Sequence, residues 1–176
     1  MAKVLAFDQS LNFAYAVDRP AGGPPLTSLH RLPFEGEDYG RAFDTAERVI
    51  NDAIAVHQPD ELWREQTIFI RGNNIVTSAQ TMMILINLAG LIEKCAYQAE
   101  RPCFEVGNMV WKKFVVGSGH AKKRDTIDCC RRLGWAPATG HVDNNCADAM
   151  GIWAYAKACS DDEFAARLTP LMGADA

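Results

Sequence analysis

The chain has 176 residues, 48% of them apolar and 23% charged, the makeup of a folded domain with a sizeable core. Its most apolar stretch, Met82 to Ile92, is broken by Asn87 and falls short of the ~20 residues that span a bilayer, so no membrane-spanning helix is expected. The net charge of −4 excludes a uniformly basic nucleic-acid binder, and six cysteines with no Cys-x-x-Cys pair read as reduced thiols of a cytoplasmic protein, not as disulfides or a structural zinc site.

In chain order, Lys3 to Phe7 is a short apolar run ending at Asp8, and Phe13 to Val17 is a second. Together they predict adjacent strands joined by a turn at Gln9 to Asn12. The Gly/Pro turn of Ala21 to Pro25 leads to a third strand, Leu26 to Leu32. Arg41 to His57 places Phe43, Ala46, Val49, Ile50, Ala53 and Ile54 at helical spacing and stops before Pro59, which predicts an amphipathic helix. Glu61 to Gln66 is a fourth strand and again ends on an acid, Glu65. Asn74 to Glu100 reads as a long helix, apolar nearly all round in its middle and therefore expected to be buried on two sides. Pro102 to Val106 is a fifth strand, Met109 to Val115 a short helix, Gly117 to His120 a flexible loop, Lys122 to Leu133 a basic helix and Asn144 to Cys159 an Ala-rich helix. From about Ser160 onward the chain is expected to be loosely held, which divides it into a domain over 1–160 and a tail over 161–176. Strands interleaved with helices in this order predict an α/β fold, a five-stranded mixed sheet with helices on both faces.

Two features carry chemistry. Between Trp111 and Arg132, seven cations stand against Asp125 and Asp128, a local charge of +5 on a remainder of −9. Such a stripe can grip phosphates, because affinity follows local charge, although a solvated helix face has the same composition. The second feature is the position of the acids. Asp8 and Glu65 each end an apolar strand, and Asp148 lies one turn into the Ala-rich helix. Acids that converge repel one another, and a divalent cation bound by oxygens alone, Mg²⁺ or Mn²⁺, is the usual way to hold them together. Two such ions about 3.5–4 Å apart can activate a water and stabilise the leaving oxygen of a phosphodiester. Taken singly, each acid also has an ordinary reading. Asp8 could be a turn residue, Glu65 an ion-pair partner of Arg64, and Asp148 a surface acid.

The segment Val4-Leu5-Ala6-Phe7-Asp8-Gln9-Ser10-Leu11-Asn12 resembles the first-strand motif of the RuvC-type Holliday-junction resolvases of bacteria and phages. Glu65-Gln66, followed by Phe69 and Asn73-Asn74, is similar to that family's second acidic motif. Pro102 to Val106, Trp111-Lys112-Lys113 and Ala121-Lys122-Lys123 resemble its fifth strand and basic loop, and Ala147-Asp148-Ala149 its last acidic helix. The match runs in order over roughly residues 3 to 158. It departs twice: Ala14-Tyr15 stands where Gly-Tyr is common, and Asn145 occupies the position of a fourth acid, with Asp143 two residues earlier.

The resemblance implies an RNase H-like fold and an Mg²⁺-dependent endonuclease (Mn²⁺ serving equally) that cuts branched DNA, foremost four-way junctions, with two ions per site. It implies catalytic and metal-binding roles for Asp8, Glu65, Asp148 and Asp143, with Asn145 as the competing fourth metal ligand. DNA contacts would fall to Phe69, Arg71, Lys112, Lys113, Lys122, Lys123 and Arg124. It further implies a homodimer through the helix around 74–100 and a place in the cytoplasm of a bacterium or a phage-infected host. His120 and His141 read as incidental. Three alternatives stay open: a nuclease of the same fold acting on RNA–DNA hybrid or structured RNA, a non-catalytic nucleic-acid binder, and half of an actin-like ATPase.

Overall fold

The computed structural model describes residues 2–34, 38–67 and 78–172. The elements follow in the order β1 (Val4–Asp8), β2 (Asn12–Val17), β3 (Leu26–Arg31), α1 (Tyr39–His57), β4 (Glu61–Glu65), α2 (Ala79–Gln98), β5 (Cys103–Val106), α3 (Asn108–Val116), α4 (Lys123–Arg132), α5 (Asn144–Ser160) and α6 (Asp162–Met172). The strands form one sheet in the order β3-β2-β1-β4-β5. β1 pairs antiparallel with β2 and parallel with β4, β2 pairs antiparallel with β3, and β4 parallel with β5. This is the five-stranded mixed sheet expected from the sequence.

Central position explains why all five residues of β1 are buried, since helices cover both faces of the sheet. Strand side chains alternate between faces. Leu5 and Phe7 join Phe13, Val17 and Leu62 in one core, against Ala46 and Ile50 of α1 and Leu88 and Ile92 of α2. Val4 and Ala6 join Ala14, Ala16 and Trp63 in the other, against α5 through Ala147, Ile152 and Ala154. The small side chains on this second face let α5 approach the sheet closely. By the same alternation Asp8 and Glu65, two residues on from Ala6 and Trp63, are directed to the α5 face.

Three expectations are corrected. The helix expected to start at Asn74 starts at Ala79, because Ser78 caps it by accepting from the Thr81 N–H at 3.1 Å; residues 74–77 themselves lie outside the described part. Within the single chain this helix is buried on one face only. Ile84, Leu88, Ile92 and Cys95 face the core, while Met83 and Ile86 remain 49% and 41% exposed. Leu88, in the middle of the helix, is fully buried. The helix enclosed on several sides is instead α5, packed among the sheet, α3, α4 and α6. Its many alanines disguise its burial, since Ala adds little to an apolar count. Finally, the expected loose tail forms α6, whose Phe164 packs edge-on against Trp153, with ring centroids 5.4 Å apart.

One glycine sets the approach of α3 to α5. A Cβ on Gly151 would come within 2.4 Å of the fully buried Trp111 ring. With no side chain at 151, Trp111 lies against α5 and holds α3, with Asn108 and Lys112, over the helix that carries Asp148.

Candidate functional site

The C-terminal ends of β1 and β4 and the first turns of α5 meet at one end of the sheet. Asp8 is 8% exposed. Burial pushes its carboxyl well above the ordinary value, the negative charges of Glu65, Asp148 and Asp143 push it further, and Lys123 opposes them. Burial also raises Glu65; a hydrogen bond from Asn108 and the charge of Lys112 oppose the rise, and Asp148 adds to it. Asp148 is raised by burial and by Asp143, against Lys112 and Lys123. The four acids therefore lie within electrostatic reach of one another, 135 or more residues apart in sequence at the extremes.

Asp143 differs from the other three. It is the N-cap of α5 and accepts from the Asn145 backbone N–H at 2.8 Å and the Asn145 Nδ2 at 2.9 Å. Desolvation pushes its carboxyl up, but the hydrogen bonds from Asn145 and Cys146 and the nearby His141 outweigh it, and the net shift is downward. Asn145 turns its Oδ1 toward the β1–β2 turn, where it accepts from Ser10 Oγ at 3.4 Å. Both candidates for the fourth position thus border the site: Asp143 as an ionised acid, and Asn145 as the amide linking it to the Asp8 loop.

The ion-pair reading of Glu65 is excluded by strand alternation. Arg64 points to the opposite face, where it bridges Glu93 and Glu105, the latter at 2.8 Å. The basic segment divides as well. Lys112, stacked over Trp111 at 5.3 Å, and Lys123 face the acids. Lys113 and Lys122 are exposed, and Arg124 pairs with Asp128 at 3.6 Å. Phe69 and Arg71, expected to touch DNA, lie outside the described residues.

Sequence reasoning missed two residues. Gln9, 5% exposed, uses its side-chain amide on the backbone of Glu65, accepting from the Glu65 N–H at 3.1 Å and donating to the Glu65 carbonyl. Asn108, at the start of α3, donates to the Glu65 carboxylate. Neither leaves a sequence signal, because each contact spans more than 40 residues and has no periodicity.

The donor set suits a hard divalent cation: carboxylates without Cys or His among them. Oδ1 of Asp148 is buried and has no hydrogen-bond partner, an arrangement that a cation would relieve. Among the described residues, no group of three or more His, Cys, Asp or Glu side chains is gathered tightly enough to hold one ion. An ion here would therefore draw part of its shell from water and substrate oxygens, as Mg²⁺ commonly does.

No protein-family model and no curated protein match the sequence. Solved structures do match. RuvC of Thermus thermophilus is 18% identical with a TM-score of 0.65, over 85% of this chain and 90% of that one. The same protein in complex with a Holliday junction substrate is 18% identical with a TM-score of 0.66, over 98% and 97%. The yeast mitochondrial Holliday junction resolvase Ydc2 is 11% identical with a TM-score of 0.61, over 97% and 82%. The chain has the RNase H-like α/β fold of the RuvC-type resolvases.

Proposed function

We propose that this protein is a divalent-metal-dependent endonuclease that cuts branched DNA, with four-way junctions as its preferred substrate. The observation that carries the reading is the cluster itself: a buried Asp8 and half-buried Glu65 and Asp148 lie together, raised by desolvation and mutual repulsion, and Asp148 leaves a buried oxygen unpaired. Acids perturbed by desolvation and by one another, gathered at one end of a sheet, mark a functional site more often than a structural one. The two neighbours with junction in their names, matched over nearly the whole chain, support the choice of substrate.

Asp8, Glu65, Asp148 and Asp143 would hold Mg²⁺ or Mn²⁺, which supplies an activated water and neutralises charge developing at the scissile phosphate. The chain's own groups do the rest. Lys112 and Lys123 lower the repulsion among the acids and stand where the backbone of the bound strand would lie, so they would seat its phosphates. Lys113, Lys122 and Arg124 extend that positive surface outward. Asn145 keeps Asp143 ionised and turned to the cluster. Two sites acting on opposite strands of a junction require a dimer, and the exposed Met83–Ile86 face of α2 is the surface we assign to it. We place the protein in the cytoplasm, where such DNA is found.

Cleavage of a synthetic four-way junction, an RNA–DNA hybrid and a linear duplex, each with Mg²⁺ and with EDTA, tests the reading. Metal-dependent nicking confined to the junction is expected. Hybrid cleavage instead would move the activity to RNA, and binding without cleavage would favour the non-catalytic binder, for which Asn145 is the supporting observation.

A further inference from the structure

The parallel ladder between β1 and β4 ends with Phe7 opposite Arg64. One step further, Asp8 and Glu65 are not paired through their main chains. There the side chain of Gln9 reaches both backbone groups of Glu65, accepting from its N–H at 3.1 Å and donating to its carbonyl, which also accepts from Arg64 Nη1 at 3.2 Å, and so continues the ladder by one rung with an amide that mimics a peptide group. Gln9 is itself 5% exposed, so this is an interior contact and not a surface one.

We infer that Gln9 is a positioning residue for the metal site. It locks the backbone of Glu65 to the residue next to Asp8 and thereby sets the separation of the two acids. The inference rests on the metal-nuclease reading above. The chemistry is selective. Asn is too short to reach both groups, Glu would set a carboxylate oxygen against the Glu65 carbonyl, and Met keeps the volume but makes neither bond. Asn108 fixes the other end of the same residue by donating to its carboxylate, so Glu65 is held at backbone and side chain by different elements. Outer groups that orient metal ligands typically govern metal affinity by about 10- to 100-fold.

The test compares wild type with Gln9→Met on three readouts: the Mg²⁺ concentration giving half-maximal junction cleavage, the rise in melting temperature on adding Mn²⁺ without DNA, and junction binding in EDTA. The expected result is a roughly 10- to 100-fold higher Mg²⁺ requirement, recovery of cleavage when Mg²⁺ is raised, a smaller Mn²⁺-induced rise, and junction binding within about twofold of wild type. An unchanged Mg²⁺ requirement overturns the inference. So does a uniform loss of cleavage, Mn²⁺ response and EDTA binding that excess Mg²⁺ does not restore, since that describes a merely structural residue. If wild type itself shows neither Mn²⁺ stabilisation nor Mg²⁺-dependent cleavage, the metal reading fails instead, and the two failures are distinct.

Discussion

Asp8→Asn should separate stability from activity. Asp8 is buried among three other acids, and its carboxyl titrates well above its ordinary value near 3.8. The folded state therefore holds its proton over a pH range in which the unfolded chain has already released it. Stability is lost as pH rises through that range, from about the ordinary carboxylate value upward. Asparagine keeps the shape, carries no charge and removes one source of repulsion on Glu65 and Asp148. Removing such active-site strain commonly stabilises a protein by about 0.5–2 kcal/mol. For a chain of this size that corresponds to a melting temperature higher by roughly 1–8 °C. Scanning calorimetry at pH 7 in EDTA should show that rise, and the difference from wild type should shrink as pH is lowered. Junction cleavage should vanish while junction binding persists, because Lys112 and Lys123 are untouched. Added Mg²⁺ should stabilise wild type more than the variant, since a ligand stabilises in proportion to its affinity for the folded state. Cleavage by Asp8→Asn at saturating Mg²⁺, or a melting temperature below wild type in EDTA, would refute the reasoning.

The remaining predictions concern the other elements of the site. Light scattering should report a dimer, and Ile86→Glu should dissociate it; a wild-type mass near the monomer's 19.4 kDa at micromolar concentrations would defeat the α2 assignment. Asp143→Asn should lower cleavage more than Asn145→Ala when Mg²⁺ is varied, because Asp143 supplies charge and Asn145 only holds it; the reverse order would give the fourth position to the amide. Lys112→Ala with Lys123→Ala should weaken junction binding and flatten its salt dependence by up to about two counterions, an unchanged slope in a salt titration removing both from the phosphate path. Gly151→Ala should lower the melting temperature, since overpacking against Trp111 costs about 1–3 kcal/mol and the gain in helix propensity returns at most about 1. A melting temperature equal to or above wild type would show that α3 can shift at no cost.

The strands and most helices were legible because they rest on local patterns. Short apolar runs, two of them ending on acids, located β1, β2 and β4, and Pro59 bounded α1. The polar residues that matter next to those acids were not legible. Gln9 and Asn108 act on Glu65 through bonds across 56 and 43 residues of chain. Helix burial was misread for a related reason. Leucines and isoleucines made α2 look enclosed, while the alanines of α5 made the truly enclosed helix look ordinary. How much of a helix is covered depends on what packs against it, and composition does not report that.

By itself the sequence determined that Asp8 shares a face with Ala6 and Glu65 with Trp63, since side chains alternate along a strand; that the two faces are the same one came from the register of β1 with β4. It also set Asp143 one residue before the expected helix, where a short acidic side chain can satisfy free N–H groups. Only the tertiary structure decided which acids share a field, that Arg64 forms its ion pairs with Glu93 and Glu105 and not with the Glu65 carboxylate, and that Lys112 and Lys123, unlike Arg124, face the cluster. Those outcomes depend on the approach of α3 and α5 across the sheet, which Gly151 and Trp111 set by direct contact. Electrostatic coupling varies with separation and burial, and both arise only when distant segments pack.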